Sequence, residues 1–116
     1  MFDSLKRLGQ LAPLLARAKE IQGKMGEFQQ RLVNLRATGA AGGGMVTATA
    51  NGIMEIVELQ FSPDAPRQDG ELLADLTRAA VNQALTNVRA EIQKQVREIT
   101  GNLDLSAFQH LLGAGP

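Results

Sequence analysis

The sequence predicts an α+β fold: a long N-terminal helix, a small three-stranded antiparallel β-sheet with an Asn-Gly hairpin, and a long C-terminal helix. Three observations carry this. Apolar residues recur at helical spacing on both sides of a central stretch where the period drops to two. That stretch opens with GAAGGGMVTATANG, five glycines in the fourteen residues Gly39–Gly52. The chain holds four Phe but no Trp or Tyr, so its core is built from Leu, Val, Ile, Met and Ala.

At 116 residues the chain is sized for a single domain, 1–116, with 1–12 and 104–116 peripheral or flexible. The opening, Met1 to Gly9, forms a short helix capped by Asp3 or Ser4 before Gly9 and Pro13 interrupt it. From Pro13, a good first-turn residue, Leu14, Ala18, Ile21, Met25, Phe28, Leu32 and Leu35 follow in alternating steps of four and three. This is a heptad seam suited to a partner helix. Gly23 and Gly26 each weaken it by about 1 kcal/mol relative to Ala, so packing must hold the helix.

Met45 to Ala50 and Ile53 to Phe61 alternate apolar with polar residues and read as strands, with a third at Leu35 to Ala40. Gly42-Gly43-Gly44 turns the chain back, and Asn51-Gly52 supplies the positive φ values of a type I′ hairpin. Ser62 to Gly70 is a loop in which Asp69 is placed to cap the next helix. Leu73, Leu76, Ala80, Ala84, Val88, Ile92 and Val96 then recur at helical spacing until Gly101 ends the run. The tail carries Leu103, Leu105, Phe108, Leu111 and Leu112 and is apolar enough to dock.

Assembly follows from length. A helix of nearly thirty residues spans roughly 45 Å, whereas a domain of this size is about 30 Å across. Its apolar stripe therefore needs a cover, and a small sheet leaves edges at Met45–Ala50 or Ile53–Phe61 for a second copy. A homodimer is expected, with Leu85, Val88 and Ile92 as candidate interface residues.

The glycine run is not a phosphate cradle. That motif needs Lys and Ser or Thr after the glycines and a helix behind them, but Met45-Val46-Thr47 follows and opens a strand. No catalytic set is expected: there is no Cys, His110 is the single histidine, and Glu55 and Glu58 fall on opposite faces of a strand. No metal or cofactor is expected either. The chain shows neither an apolar leader core nor a run approaching eighteen apolar residues, so secretion and membrane spanning are not expected.

Twelve bases balance twelve acids, but unevenly. Residues 1–36 hold seven Lys/Arg against three acids, 37–70 one against four, and 71–116 four against five. An anionic partner meets the N-terminal segment first. Arg17, Lys24 and Arg31 lie seven apart in one stripe, with Lys19 and Arg36 beside it. Arg89, Lys94 and Arg97 form a second cluster, so these eight residues are the candidate contacts for an anionic partner. The competing reading is a solvated face, because Glu20 and Glu27 stand four residues before Lys24 and Arg31, the favourable order for helix ion pairs.

Several short motifs taken together resemble the YbaB/EbfC family of bacterial nucleoid-associated proteins. They are Ala18, Gln22, Lys24 and Met25; Thr38-Gly39 with the glycines and Met45-Val46; Asn51-Gly52; Leu59 to Pro63; Glu71 to Leu76; and Ala79 to Ala84. The similarity runs over residues 11–103 and departs from the family in the neutral charge, in Pro13 and in the Phe108–Leu112 tail. It implies a dimer whose sheets join and whose long helices project like the arms of tweezers. It implies binding of double-stranded DNA and a cytoplasmic, nucleoid-associated role in organising DNA or modulating expression, without enzymatic activity. Lys24 is the one basic candidate inside a matched stretch. The alternative is a protein-interaction or scaffold module that uses the heptad helix and apolar tail and has little contact with DNA.

Overall fold

The computed structural model describes residues 2–101 in backbone and 11–101 in side chain. The elements are α1 (Phe2–Arg31), β1 (Arg36–Ala41), β2 (Val46–Asn51), β3 (Ile56–Phe61) and α2 (Gly70–Thr100), with single 3₁₀ turns at Leu32–Asn34 and Ala65–Arg67. An α+β fold with two long helices and a three-stranded antiparallel sheet is what the sequence periods required. Contacts divide the chain into two units, one holding residues up to Gln29 with those from Val96 onward, the other Gln30–Gln95. His110 and the apolar tail lie outside the described residues.

The interrupted opening expected at Gly9 and Pro13 is not found, since α1 runs through both. A proline inside a helix removes one backbone bond and crowds the carbonyl four residues earlier. Neither effect ends the helix here. The helix already starts at Phe2, so Asp3 and Ser4 lie within it rather than capping it. Along the expected seam Phe28 is buried, Ile21 and Met25 are half-buried, and Leu14 is exposed, as are Leu11 and Leu15.

The sheet is a meander, β1-β2-β3, antiparallel throughout. Alternation places Val46, Ala48 and Ala50 of β2 on one face, where they are fully buried, while Thr47 and Thr49 turn to the other. Ala80, Ala84 and Val88 of α2 sit on that buried face and complete the core. Of the residue types expected in the core, Ala and Val alone make up this centre, which is therefore thin. Leu73, Leu76, Leu85 and Ile92 pack around its rim. Val88 is fully buried, and removing two of its methyl groups as Val88→Ala should lower stability by about 2–3 kcal/mol in urea unfolding.

Small side chains let the helix backbone descend onto the sheet, and Gly39 is the point of contact. It lies opposite Ala48 in β1. A Cβ at this position would stand 2.3 Å from the Ala84 nitrogen and 2.5 Å from the Ala80 oxygen. Close backbone approach is thus the role of the first glycine of the run. Gly42, Gly43 and Gly44 take the turning role, with φ of 66°, 65° and 92°.

The second turn differs from the type I′ hairpin expected at Asn51-Gly52. The left-handed residue is Met54, with φ of 64°. Asn51 acts through its buried side chain instead: its Oδ1 accepts from the Ile53 and Glu55 amides, and its amide group donates to the Glu55 carboxylate. Gly52 is needed for another reason, because its N–H donates to the Leu32 carbonyl at 2.8 Å. A Cβ on Gly52 would lie 2.4 Å from that oxygen.

The two edges of the sheet are treated differently. On β1 the Ala40 N–H donates to Gln83 Oε1 at 2.8 Å, and the Thr38 carbonyl accepts from Asn87 Nδ2 at 2.7 Å. On β3 a bulge leaves Val57 without a partner, since Ala50 pairs with Ile56 and Thr49 with Glu58. Leu59 and Phe61 lie opposite Ala48 and Val46 on the helix-bearing face, yet they are 40% and 46% exposed. The helix covers the β1–β2 side of this face more fully than the β3 side, where Ile56 is half-buried and Leu59 and Phe61 are exposed.

Candidate nucleic-acid interface

The basic candidates divide by what already engages them. On α1, Lys24 Nζ pairs with Glu20 at 3.2 Å, the i,i+4 ion pair expected from the sequence, with both side chains more than half exposed. Such a pair contributes a few tenths of a kcal/mol and yields readily to a phosphate. Among the described residues no pair forms at Glu27, and Arg31 is exposed. Arg17 lines an open groove with Lys24, Glu20 and Glu98, and its guanidinium rests against Gly101, where a Cβ would come within 2.8 Å. The charges in this groove are mixed rather than uniformly basic.

Arg36 is held by its own backbone. Its Nη1 donates to the Val33 carbonyl at 2.7 Å and to the Leu35 carbonyl at 3.0 Å, fixing the entry into β1. Lys19, Arg89, Lys94 and Arg97 are exposed and take part in no ion pair among the described residues. Eight residues separate Arg89 from Arg97, which places them about 80° apart around a helix, with Gln93 between them. That is a solvated stripe of guanidinium and amide donors, the chemistry that meets phosphate oxygens. Arg78, missed in the sequence reading, is exposed and bonded to Asp75 at 2.7 Å.

Of the three residues expected at a dimer interface, Val88 is enclosed by its own chain. Leu85 and Ile92 are half-buried against the same core. The stripe finds its cover on the chain's own sheet because β2 presents only small side chains there. The exposed apolar residues of this unit include Val57, Leu59 and Phe61 of β3, with Val33, Ile53, Met54 and Leu72 elsewhere. A groove beside β3 is lined by Phe61, Gly70, Leu73, Ala74, Thr77 and Arg78. Bulk at Leu59 and Phe61 was legible in the strand pattern; their exposure was not, because it depends on where the helix crosses the sheet.

Among the described residues no group of His, Cys, Asp and Glu is arranged to hold a metal ion. No described helix is long and apolar enough to cross a membrane.

Known proteins share the sequence pattern and the fold of this chain. Residues 8–103 match the YbaB/EbfC DNA-binding family. A nucleoid-associated protein of Thermoanaerobacter pseudethanolicus is 39% identical over 93 residues, covering 79% of this chain and 84% of the relative. One from Granulibacter bethesdensis is 39% identical over 102 residues, covering 87% and 95%. The crystal structure of an uncharacterized protein from Helicobacter pylori shares the fold, with a TM-score of 0.54 at 22% identity over 67% of this chain and 92% of that one.

Proposed function

Since this chain belongs to the YbaB/EbfC DNA-binding family, we propose that it binds double-stranded DNA as a homodimer and acts without enzymatic chemistry on the nucleoid in the cytoplasm. The observation that carries this reading is the family match across residues 8–103, with relatives that are named nucleoid-associated proteins. The exposed residues Lys19, Arg89, Lys94 and Arg97 support it, with Arg17, Lys24 and Arg31 as further contacts. Flexible, solvated cations on helices suit phosphates rather than base edges, so sequence preference is weak and salt dependence strong.

The dimer joins through β3. Its outer edge has no side-chain cover among the described residues, and Leu59, Phe61 and Val57 lie exposed beside it. Pairing two β3 edges about a two-fold axis satisfies the strand and covers the exposed apolar side chains together. Near-zero net charge makes this joining important, because one chain alone presents few unpaired cations.

A duplex titration at 50 and 200 mM salt tests the reading. With about four phosphate contacts the affinity should fall roughly 150-fold between these concentrations. Replacing Lys19, Arg89 and Arg97 by Gln should flatten that slope. Binding indifferent to salt, or absent at low salt, would overturn the proposal. A protein-interaction module is the second reading, favoured by the exposed Leu11, Leu14 and Leu15 of α1, and it takes over if DNA is not retained.

A further inference from the structure

A three-stranded meander has two edges, and a chain that offers both to copies of itself grows without limit. Here the first strand and the third are both edges, so the dimer requires a reason why only one of them pairs. The side chains of α2 supply it. Gln83 and Asn87 are one helical turn apart, and Gly39 brings the helix backbone down between the β1 groups they reach.

We propose that Gln83 and Asn87 close the β1 edge, giving it an amide acceptor for the Ala40 N–H and an amide donor for the Thr38 carbonyl. A second copy of this chain is thereby confined to β3. The inference rests on the β3 dimer described above. Residues 38 and 40 share one phase of the strand, and their bonded groups are an N–H and a C=O, the two kinds that an incoming antiparallel strand would engage. One primary amide satisfies each in turn. Gln83 must use its oxygen and Asn87 its nitrogen, so the two side chains mimic the alternating acceptor and donor of a neighbouring strand. No side chain of the described residues does this for β3. With both β1 edges closed, pairing at β3 gives a six-stranded sheet, β1-β2-β3-β3-β2-β1, that has no open end and stops at two chains.

The test is the assembly state of the full chain carrying Gln83→Ala with Asn87→Ala, followed by sedimentation across a wide concentration range. The wild type should stay at the mass of a dimer. The double variant, folded by circular dichroism, should at least double that mass as concentration rises. Adding Ala40→Pro should return it to the dimer, because an edge proline removes the exposed N–H without breaking the β1–β2 ladder. A folded double variant that remains dimeric overturns the inference, and so does growth that Ala40→Pro leaves unchanged. A monomeric wild type would instead overturn the β3 dimer itself. If the double variant does not fold, hydrogen exchange in Gln83→Ala decides: the Ala40 amide should exchange about tenfold faster than in the wild type. Equal rates would show that Gln83 gives the edge no cover.

Discussion

Gly39→Ala should lower stability by about 3–5 kcal/mol, a large share of what a domain of this size possesses. The added Cβ would meet the Ala84 nitrogen at 2.3 Å, the Ala80 oxygen at 2.5 Å and the Gln83 carbonyl carbon at 2.8 Å. All three are backbone atoms, so no side-chain rotation relieves the clash. The helix must lift from the sheet, which opens the packing of Ala80, Ala84 and Val88 over β2 and draws Gln83 and Asn87 away from β1. Gly43→Ala is the control, because that position has open space and only its positive φ of 65° resists, at a cost of about 1 kcal/mol. Thermal unfolding reads the difference: a drop of more than about 10 °C for Gly39→Ala against a few degrees for Gly43→Ala. A Gly39→Ala melt close to that of the wild type would mean that α2 does not rest on β1 as described.

Leu59→Gln with Phe61→Gln should convert the dimer to a folded monomer and weaken duplex binding by about 10²–10⁴-fold. Both side chains are exposed in the single chain, so their loss takes little from its own core. Both replacements are neutral, so the charge presented to DNA does not change. What changes is the number of basic surfaces joined in one particle. A linked second site acts at high effective concentration, and separating the sites removes that gain without altering any phosphate contact. Sedimentation and DNA titration must move together. A monomer that binds DNA as tightly as the wild type would separate assembly from function, and an unaltered dimer would place the interface elsewhere.

The sequence revealed the features with a strong local cause. Helical spacing, the switch to period two and the Gly42–Gly44 turn each depend on neighbouring residues, and each element formed near its expected place. Gly101, with φ of 64°, ends α2 as its residue type requires. The misses at the second turn and at Val88 depend on approach between distant segments. Asn51-Gly52 carries the signature of a tight hairpin, yet the Leu32 carbonyl occupies the space beside Gly52 and the positive φ falls on Met54. Val88 had the spacing of an interface residue, but the size of its partners Ala48 and Ala50 decided that it faces its own sheet.

For the functional surface, residue type was legible and availability was not. Arg36 and Lys24 are both candidate cations in the sequence, yet one is bonded to two carbonyls and the other to a single exposed carboxylate. Gln83 and Asn87 carried no signal beyond lying four apart beside the buried stripe of α2. Their meaning depends on a strand more than forty residues earlier.

That separation in sequence also sets an order of events during synthesis. Gln83 follows Ala40 by 43 residues and Asn87 follows Thr38 by 49, so β1, β2 and β3 each emerge from the ribosome ahead of either amide. At about 5–20 residues per second, β1 emerges roughly 2–10 s before the amides that cover it. Neighbouring ribosomes on one message would hold several such chains at the same stage. The composition of β1 limits the hazard: Arg36-Ala-Thr-Gly-Ala-Ala41 contains no aromatic residue, Val or Ile, begins with a charge and is broken by Gly39. Such a strand is a poor template for intermolecular zippering. The glycine that admits the helix in the finished protein thus also keeps the unfinished one from adhering to its neighbours.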